Sequence, residues 1–261
     1  MSLLEDFLLG QFVLFTLILA RVGGLVMTAP IFGGREVPTQ VRGLLAVMLT
    51  LLILPMQAQP APAPLTALPD YVLDLAGETL IGLVLGLGIK ILLAGIQLAG
   101  QIVSQLSGLA LADVFQPDFD ASVPVFSQLL LYVTLAVFVV LGGHRMVMAA
   151  LLDTFGVIPP GVGPTSSSIV DATTSLLAQS FELGIRAAAP AMTALLLATL
   201  VLGLISRTLP QINIIAVGFG INALLALGAL LISLGTVAWA FQDRIEPALD
   251  LLQAALTSNR P

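Results

Sequence analysis

Long intervals without a single charged side chain constrain this chain more than any other feature. No Asp, Glu, Lys or Arg occurs between Arg42 and Asp70, Lys90 and Asp113, Asp120 and Arg145, Arg186 and Arg207, or Arg207 and Asp243. From Phe7 to Ile31 only Arg21 interrupts an apolar run. A bilayer-spanning helix needs about 20 mostly apolar residues, and these intervals meet or approach that length. Leu and Ala dominate them, without the strict alternation of a barrel strand, so a closed β-barrel is not expected. The reading is all-α and polytopic, with six apolar segments at about 7–31, 42–56, 71–108, 124–152, 184–206 and 213–241.

Composition narrows the function. Charged residues make up 9% of the chain and apolar residues 58%, whereas soluble domains carry about 25% charged residues. Lys and Arg total 9 against 15 acids, a net charge of −6, so no basic surface exists for a nucleic-acid backbone. Cys is absent and His occurs once, which removes thiol chemistry, Cys-zinc sites and most His-based acid–base sites. No Walker loop, HExxH or Ser–His–Asp set is present, so no enzyme activity and no cofactor or metal are expected. The N-terminus carries Glu5 and Asp6 where a signal peptide carries bases. The basic residues divide evenly between the two sides; the acidic start favours an N-terminus outside.

Between the segments lie three breaks. Residues 57–69 are rich in Pro and Ala, 109–123 hold Asp113, Pro117, Asp118 and Asp120, and 156–167 contain a Pro/Gly run. Ser168 and Asp171 form a capping-box-like start to a separate amphipathic helix through Phe181, with Ile169, Leu176, Leu177 and Phe181 on its apolar side. Within the apolar segments, Gly82-x-x-x-Gly86, Gly88, Ala94, Gly95 and Gly100 are suited to close helix approach. Met27, Met48, Met146, Met148 and Met192 read as core filler. His144 reads as an interfacial residue with a hydrogen-bond partner, against a proton-relay role.

Arg21, Glu78, Lys90 and Arg186 stand inside or at the ends of apolar segments. Such charges either snorkel to a membrane surface or face protein or water. Glu78 and Lys90 are about 18 Å apart along a helix, too far to pair, so their partners lie on other helices or other subunits. A secondary transporter could instead use Arg21, Glu78 and Lys90 as a substrate or proton site. An intramembrane enzyme would need a catalytic set that is missing.

Two stretches carry a family resemblance. The first is Gly108-Leu-Ala-Leu-Ala-Asp-Val-Phe-Gln-Pro117, then Val123-Pro124-Val125, an apolar helix ending Gly142-Gly143-His144, and Phe155-Gly-Val-Ile-Pro159-Pro160-Gly161. The second is Ser206-Arg207-Thr208-Leu209-Pro210-Gln211-Ile212-Asn213 followed by Gly218-Phe219. Their order over nearly the whole chain resembles the FliR/SctT family of type III secretion export gates, the flagellar branch ahead of the injectisome branch. Residues 181–250 are also similar to the small FliQ subunit, through Ala188-Ala189-Pro190 and Gln211-Ile212-Asn213.

The resemblance implies a FliP-like part (1–165) followed by a FliQ-like helical hairpin with a C-terminal tail (166–261), both made of bent helical hairpins. It implies assembly with FliP and FliQ homologues, contact with FlhB and FlhA, and passage of unfolded export substrates, in the inner membrane of the flagellar basal body and partly above the lipid plane. It places a pore plug at 108–123, with Leu111, Val114, Phe115, Gln116, Pro117 and Phe119 as gate residues. Gln116 stands where the family often has Asp. Arg207, Pro210, Gln211 and Asn213 would form hairpin-tip contacts, and Arg21, Glu78, Lys90 and Arg186 would be buried charges used in subunit contacts. Apart from the family, irregular backbone at membrane depth survives only against protein or a water-filled cavity, and an apolar plug can close a pore by dewetting; a solvent-exposed loop outside the bilayer is the alternative.

Overall fold

A computed structural model describes residues 3–34, 37–57, 68–108, 124–162, 166–208 and 214–257. All regular structure among them is helical: α1 (Leu3–Thr28), α2 (Thr39–Ile53) with a 3-10 turn (Leu54–Met56), α3 (Leu68–Leu106), α4 (Val125–Val140), α5 (Gly143–Val157), α6 (Ser166–Thr208) and α7 (Ile214–Thr257). Among the described residues, four helices are long and apolar enough to cross a membrane, and α4 with α5 would make a fifth as one broken span.

The helix ends follow local chemistry. α1 stops at Thr28, two residues before Pro30, because the residue before a proline is driven out of helical geometry. Arg42 in the first turns of α2 folds back onto the preceding connection, donating from Nε to Val37 O at 3.0 Å and from Nη2 to Gly34 O at 2.5 Å. α5 ends at Val157, before Ile158-Pro159.

Four expectations change. The segment expected at 124–152 is interrupted at Gly142, whose φ of +75° is open to glycine without strain and breaks the helix. The two elements expected at 168–181 and 184–206 are one 43-residue helix. Ser168 does not cap it; its hydroxyl donates to Ala255 O on α7 at 2.9 Å. The methionines are not core: Met27 and Met48 are exposed, and Met146, Met148 and Met192 are half-buried.

The chain forms two compact units. The first combines 1–90, 142–176 and 245–261; the second combines 91–141 and 177–244. In the first, α1 packs on α2 and on the first half of α3, with Leu17, Ile18, Val22, Leu25, Ile81 and Leu85 almost wholly buried. In the second, the Phe138 and Phe241 rings meet edge to face at 6.2 Å between centroids.

Candidate functional site

In the first unit, α1 and α3 approach to backbone contact. A Cβ at Gly24 would lie 2.6 Å from the Thr79 carbonyl oxygen, and one at Gly82 would collide with the Arg21 carbonyl oxygen. Gly86 stands likewise against Thr28. The Gly82-x-x-x-Gly86 pattern thus serves close helix packing, where van der Waals contact replaces water-driven association.

This close seam carries a fully buried ion pair. Arg21 Nε donates to Glu78 Oε2 at 2.6 Å, and both side chains have zero solvent exposure. Burying two charges is unfavourable unless the remaining polar atoms also find partners, and here each guanidinium nitrogen and each carboxylate oxygen has one. Arg21 Nη1 donates to Thr154 Oγ1 at 3.2 Å and Nη2 to Ile158 O at 3.1 Å. The Gly161 N–H donates to Glu78 Oε1 at 2.9 Å. The Phe155 ring lies under the guanidinium, 4.2 Å from centroid to Cζ, a cation–π contact. Four chain segments therefore meet at one pair: α1, α3, α5 and the turn after α5. The arrangement binds helices together; each nitrogen of the guanidinium and each oxygen of the carboxylate is already engaged.

In the second unit, serine hydroxyls tie helices where glycines let them touch. Ser180 Oγ donates to Ile91 O at 2.7 Å, beside Gly95 and Gly184, where an added Cβ would meet the facing backbone. Ser127 Oγ donates to Gln97 O at 2.6 Å, and Gly100 packs directly on Ser127. This second crossing joins the last turns of α3 to the first turn of α4. Both stems of the 109–123 segment are therefore clamped together, at Gly100 and Ser127.

The sequence-derived sites divide accordingly. Leu111, Val114, Phe115, Gln116, Pro117 and Phe119 lie outside the described residues, as do Pro210, Gln211 and Asn213. Arg207 is exposed in the last turn of α6, where a cation favours the helix dipole. Arg21 and Glu78 are buried as expected, and their partners are each other, on two helices of the chain and 57 residues apart. Lys90 and Arg186 are not buried: Lys90 is exposed on α3, and Arg186 pairs across one helical turn with Glu182 at 2.6 Å on the surface of α6. Arg244 reaches the same Glu182 at 3.8 Å and donates to Gln179 at 3.4 Å. His144 is half-buried, and its Nδ1 has no partner among the described residues. Sequence reading missed Thr154, the Ile158 carbonyl and the Gly161 amide as partners of the ion pair. The signal for the Ile158 carbonyl and the Gly161 amide was the Phe155–Gly161 motif, visible only as a motif; Thr154 lies just before it.

The family model described as bacterial export proteins, family 1, matches residues 12–248. The chain belongs to this family. Among similar members is the flagellar biosynthetic protein FliR of Escherichia coli strain K12, 34% identical over 203 residues that cover 77% of this chain and 76% of that protein. The FliR of Pectobacterium carotovorum is 30% identical, covering 91% and 90%. That of Caulobacter vibrioides is 28% identical, covering 90% and 94%. Family 1 membership thus runs through both compact units and through every long helix described above.

Proposed function

We propose that this chain is a structural and gating subunit of the flagellar type III protein export gate. It assembles with FliP and FliQ homologues, in contact with FlhB and FlhA, to form and close a conduit for unfolded export substrates. It catalyses nothing, and transport energy comes from partners. Its home is the inner membrane within the flagellar basal body.

One observation carries the reading: the length and bareness of α6. Its 43 residues give a contour of about 65 Å, roughly twice the 30 Å of a hydrocarbon core. Apolar side chains stay exposed along it, from Val170 through Phe181 and Leu197 to Leu204. Lipid can cover about half of that length; protein must cover the rest. An assembly of several similar helical subunits, partly above the lipid plane, does so. The clamped stems at Gly100 and Ser127 suit a 109–123 loop held at one place in a pore, as the family resemblance implies.

The injectisome branch of the same family would use the same geometry. The transporter reading loses support, because Lys90 is exposed twelve residues along α3 from Glu78, and Arg21 and Glu78 already satisfy each other.

The test is co-expression with FliP and FliQ homologues, a tag on this chain alone, and native mass spectrometry. One discrete hetero-complex with a single copy of this chain is expected. A monodisperse free monomer would sink the assembly claim. Deleting part of 111–119 in the assembled complex should make membranes leaky to small ions and solutes; unchanged permeability would remove the plug.

A further inference from the structure

The turn that follows α5 is unusually short of hydrogen-bonding groups, and its chemistry is one-sided. The Ile158 N–H is used by Thr154 O at 2.7 Å. Pro159 and Pro160 have no N–H to offer. The Val162 N–H closes the turn onto Pro159 O at 3.3 Å. One donor is left to face outward, the Gly161 N–H, presented by a residue with φ of +90° that a side chain would strain. Beside it, the Ile158 carbonyl accepts from Arg21. The turn therefore offers a positive pole to Glu78 and a negative pole to Arg21. The Phe155 face adds a second feature that favours a cation on the Arg21 side. Thr154 can only accept there, since its own hydroxyl proton goes to Leu151 O at 2.6 Å.

We infer that the Ile158–Gly161 turn is a polarity-keyed lock: it recognises the buried Arg21–Glu78 pair in one orientation and so holds the α5–α6 connection onto α1 and α3. Arg21 and Glu78 act as positioning residues for this turn. A simple clamp would need only two opposite charges at these places. A keyed lock needs the cation on α1 and the anion on α3. With the charges exchanged, the pair keeps its mutual attraction, but the carboxylate meets the Ile158 carbonyl and the ring face, and the guanidinium meets the Gly161 N–H. Replacing both by methionine leaves one donor and one acceptor unpaired but buries no charge, the milder defect. This inference is independent of the export reading, because its readouts involve no partner subunit.

The test compares two double variants of the full-length chain in membranes, Arg21→Glu/Glu78→Arg and Arg21→Met/Glu78→Met. The first readout is the steady-state amount of folded chain; the second is amide exchange of the peptide containing Gly161. The exchanged pair should fall at least about tenfold below the native chain, while the double methionine variant stays within roughly threefold. In the methionine variant the Gly161 amide should exchange at least about tenfold faster, with α1 unchanged. An exchanged pair that accumulates as well as or better than the methionine variant overturns the lock, and so does equal loss of both. Gly161 exchange that stays at its native rate in the methionine variant overturns it too.

Discussion

The seam of α1 with α3 and the outer surface of α6 are built from the same residue types and end in opposite states. In the most apolar window of α3, 61% of residues are buried within the chain; in that of α6, 22% are. The seam has glycines that admit backbone contact, and inside it a charged pair with its partners met. α6 has Leu196, Leu197, Leu200, Val201 and Leu204 facing outward. Apolarity alone does not tell these apart, since lipid, a partner helix and the chain's own core are all apolar surroundings. What distinguishes them is polar satisfaction and small residues. The seam is finished by the chain itself; the α6 surface is finished by something else.

Breaking the seam should have the largest effect. Arg21→Met alone strands the Glu78 carboxylate in a fully buried site, and leaving one buried charge unpaired costs about 3–5 kcal/mol. The expected outcome is loss of most of the folded chain from membranes, read by thermal unfolding in detergent and by steady-state amount. A native-like melting profile would show that water reaches Glu78 and that the seam is looser than its geometry states.

That prediction rests on a pair half legible in the sequence. Arg21 and Glu78 stood out as charges in apolar runs, and Gly82-x-x-x-Gly86 as a close-packing stripe. Their juxtaposition was invisible, because it depends on which helices touch across 57 residues of chain. The Phe155–Gly161 motif was visible too, without its role, because a backbone carbonyl and a backbone N–H leave no trace in residue type. The six apolar segments were readable from charge-free length. The continuity of α6 was not: the amphipathic stretch through Phe181 and the apolar segment from 184 looked like two elements, whereas Glu182 and Arg186 form a surface pair one turn apart that a single helix carries through. Met27 and Met48 were misplaced for the reason the two surfaces differ: hydrophobicity reports a preference for leaving water, not which apolar neighbour receives the side chain.

An intermediate effect is expected where α3 meets α6 in the second unit. Gly95→Val puts a branched side chain against the Ser180 backbone, with no flexible neighbour to yield, and disturbs the Ser180 hydroxyl bond to Ile91 O. Overpacking of this kind costs about 1–3 kcal/mol. The chain should fold with a lowered melting temperature in detergent, and less so than Arg21→Met. An effect as large as that of Arg21→Met would mean that the crossing matters as much as the ion pair, and the contrast between the seam and α6 would narrow.

The smallest effect on the chain alone, and the sharpest test of the contrast, comes from α6. Leu197→Ser with Leu200→Ser removes two exposed leucines. Surface changes away from packed features alter stability by no more than about 0.5 kcal/mol, so the purified single chain should melt as the native one does. If a partner subunit covers this face, the same pair should weaken assembly by at least about 1 kcal/mol per well-packed contact, seen as loss of the hetero-complex in native mass spectrometry at unchanged amounts of chain. Lipid coverage gives a different pattern: reduced membrane insertion, with complex formation intact for the molecules that insert. The two outcomes separate the part of α6 that lipid finishes from the part that protein finishes. Moving the serine pair to Val170 and Leu177, also exposed on α6, repeats the comparison about 40 Å along the helix. A helix too long for one bilayer predicts that the two positions answer differently.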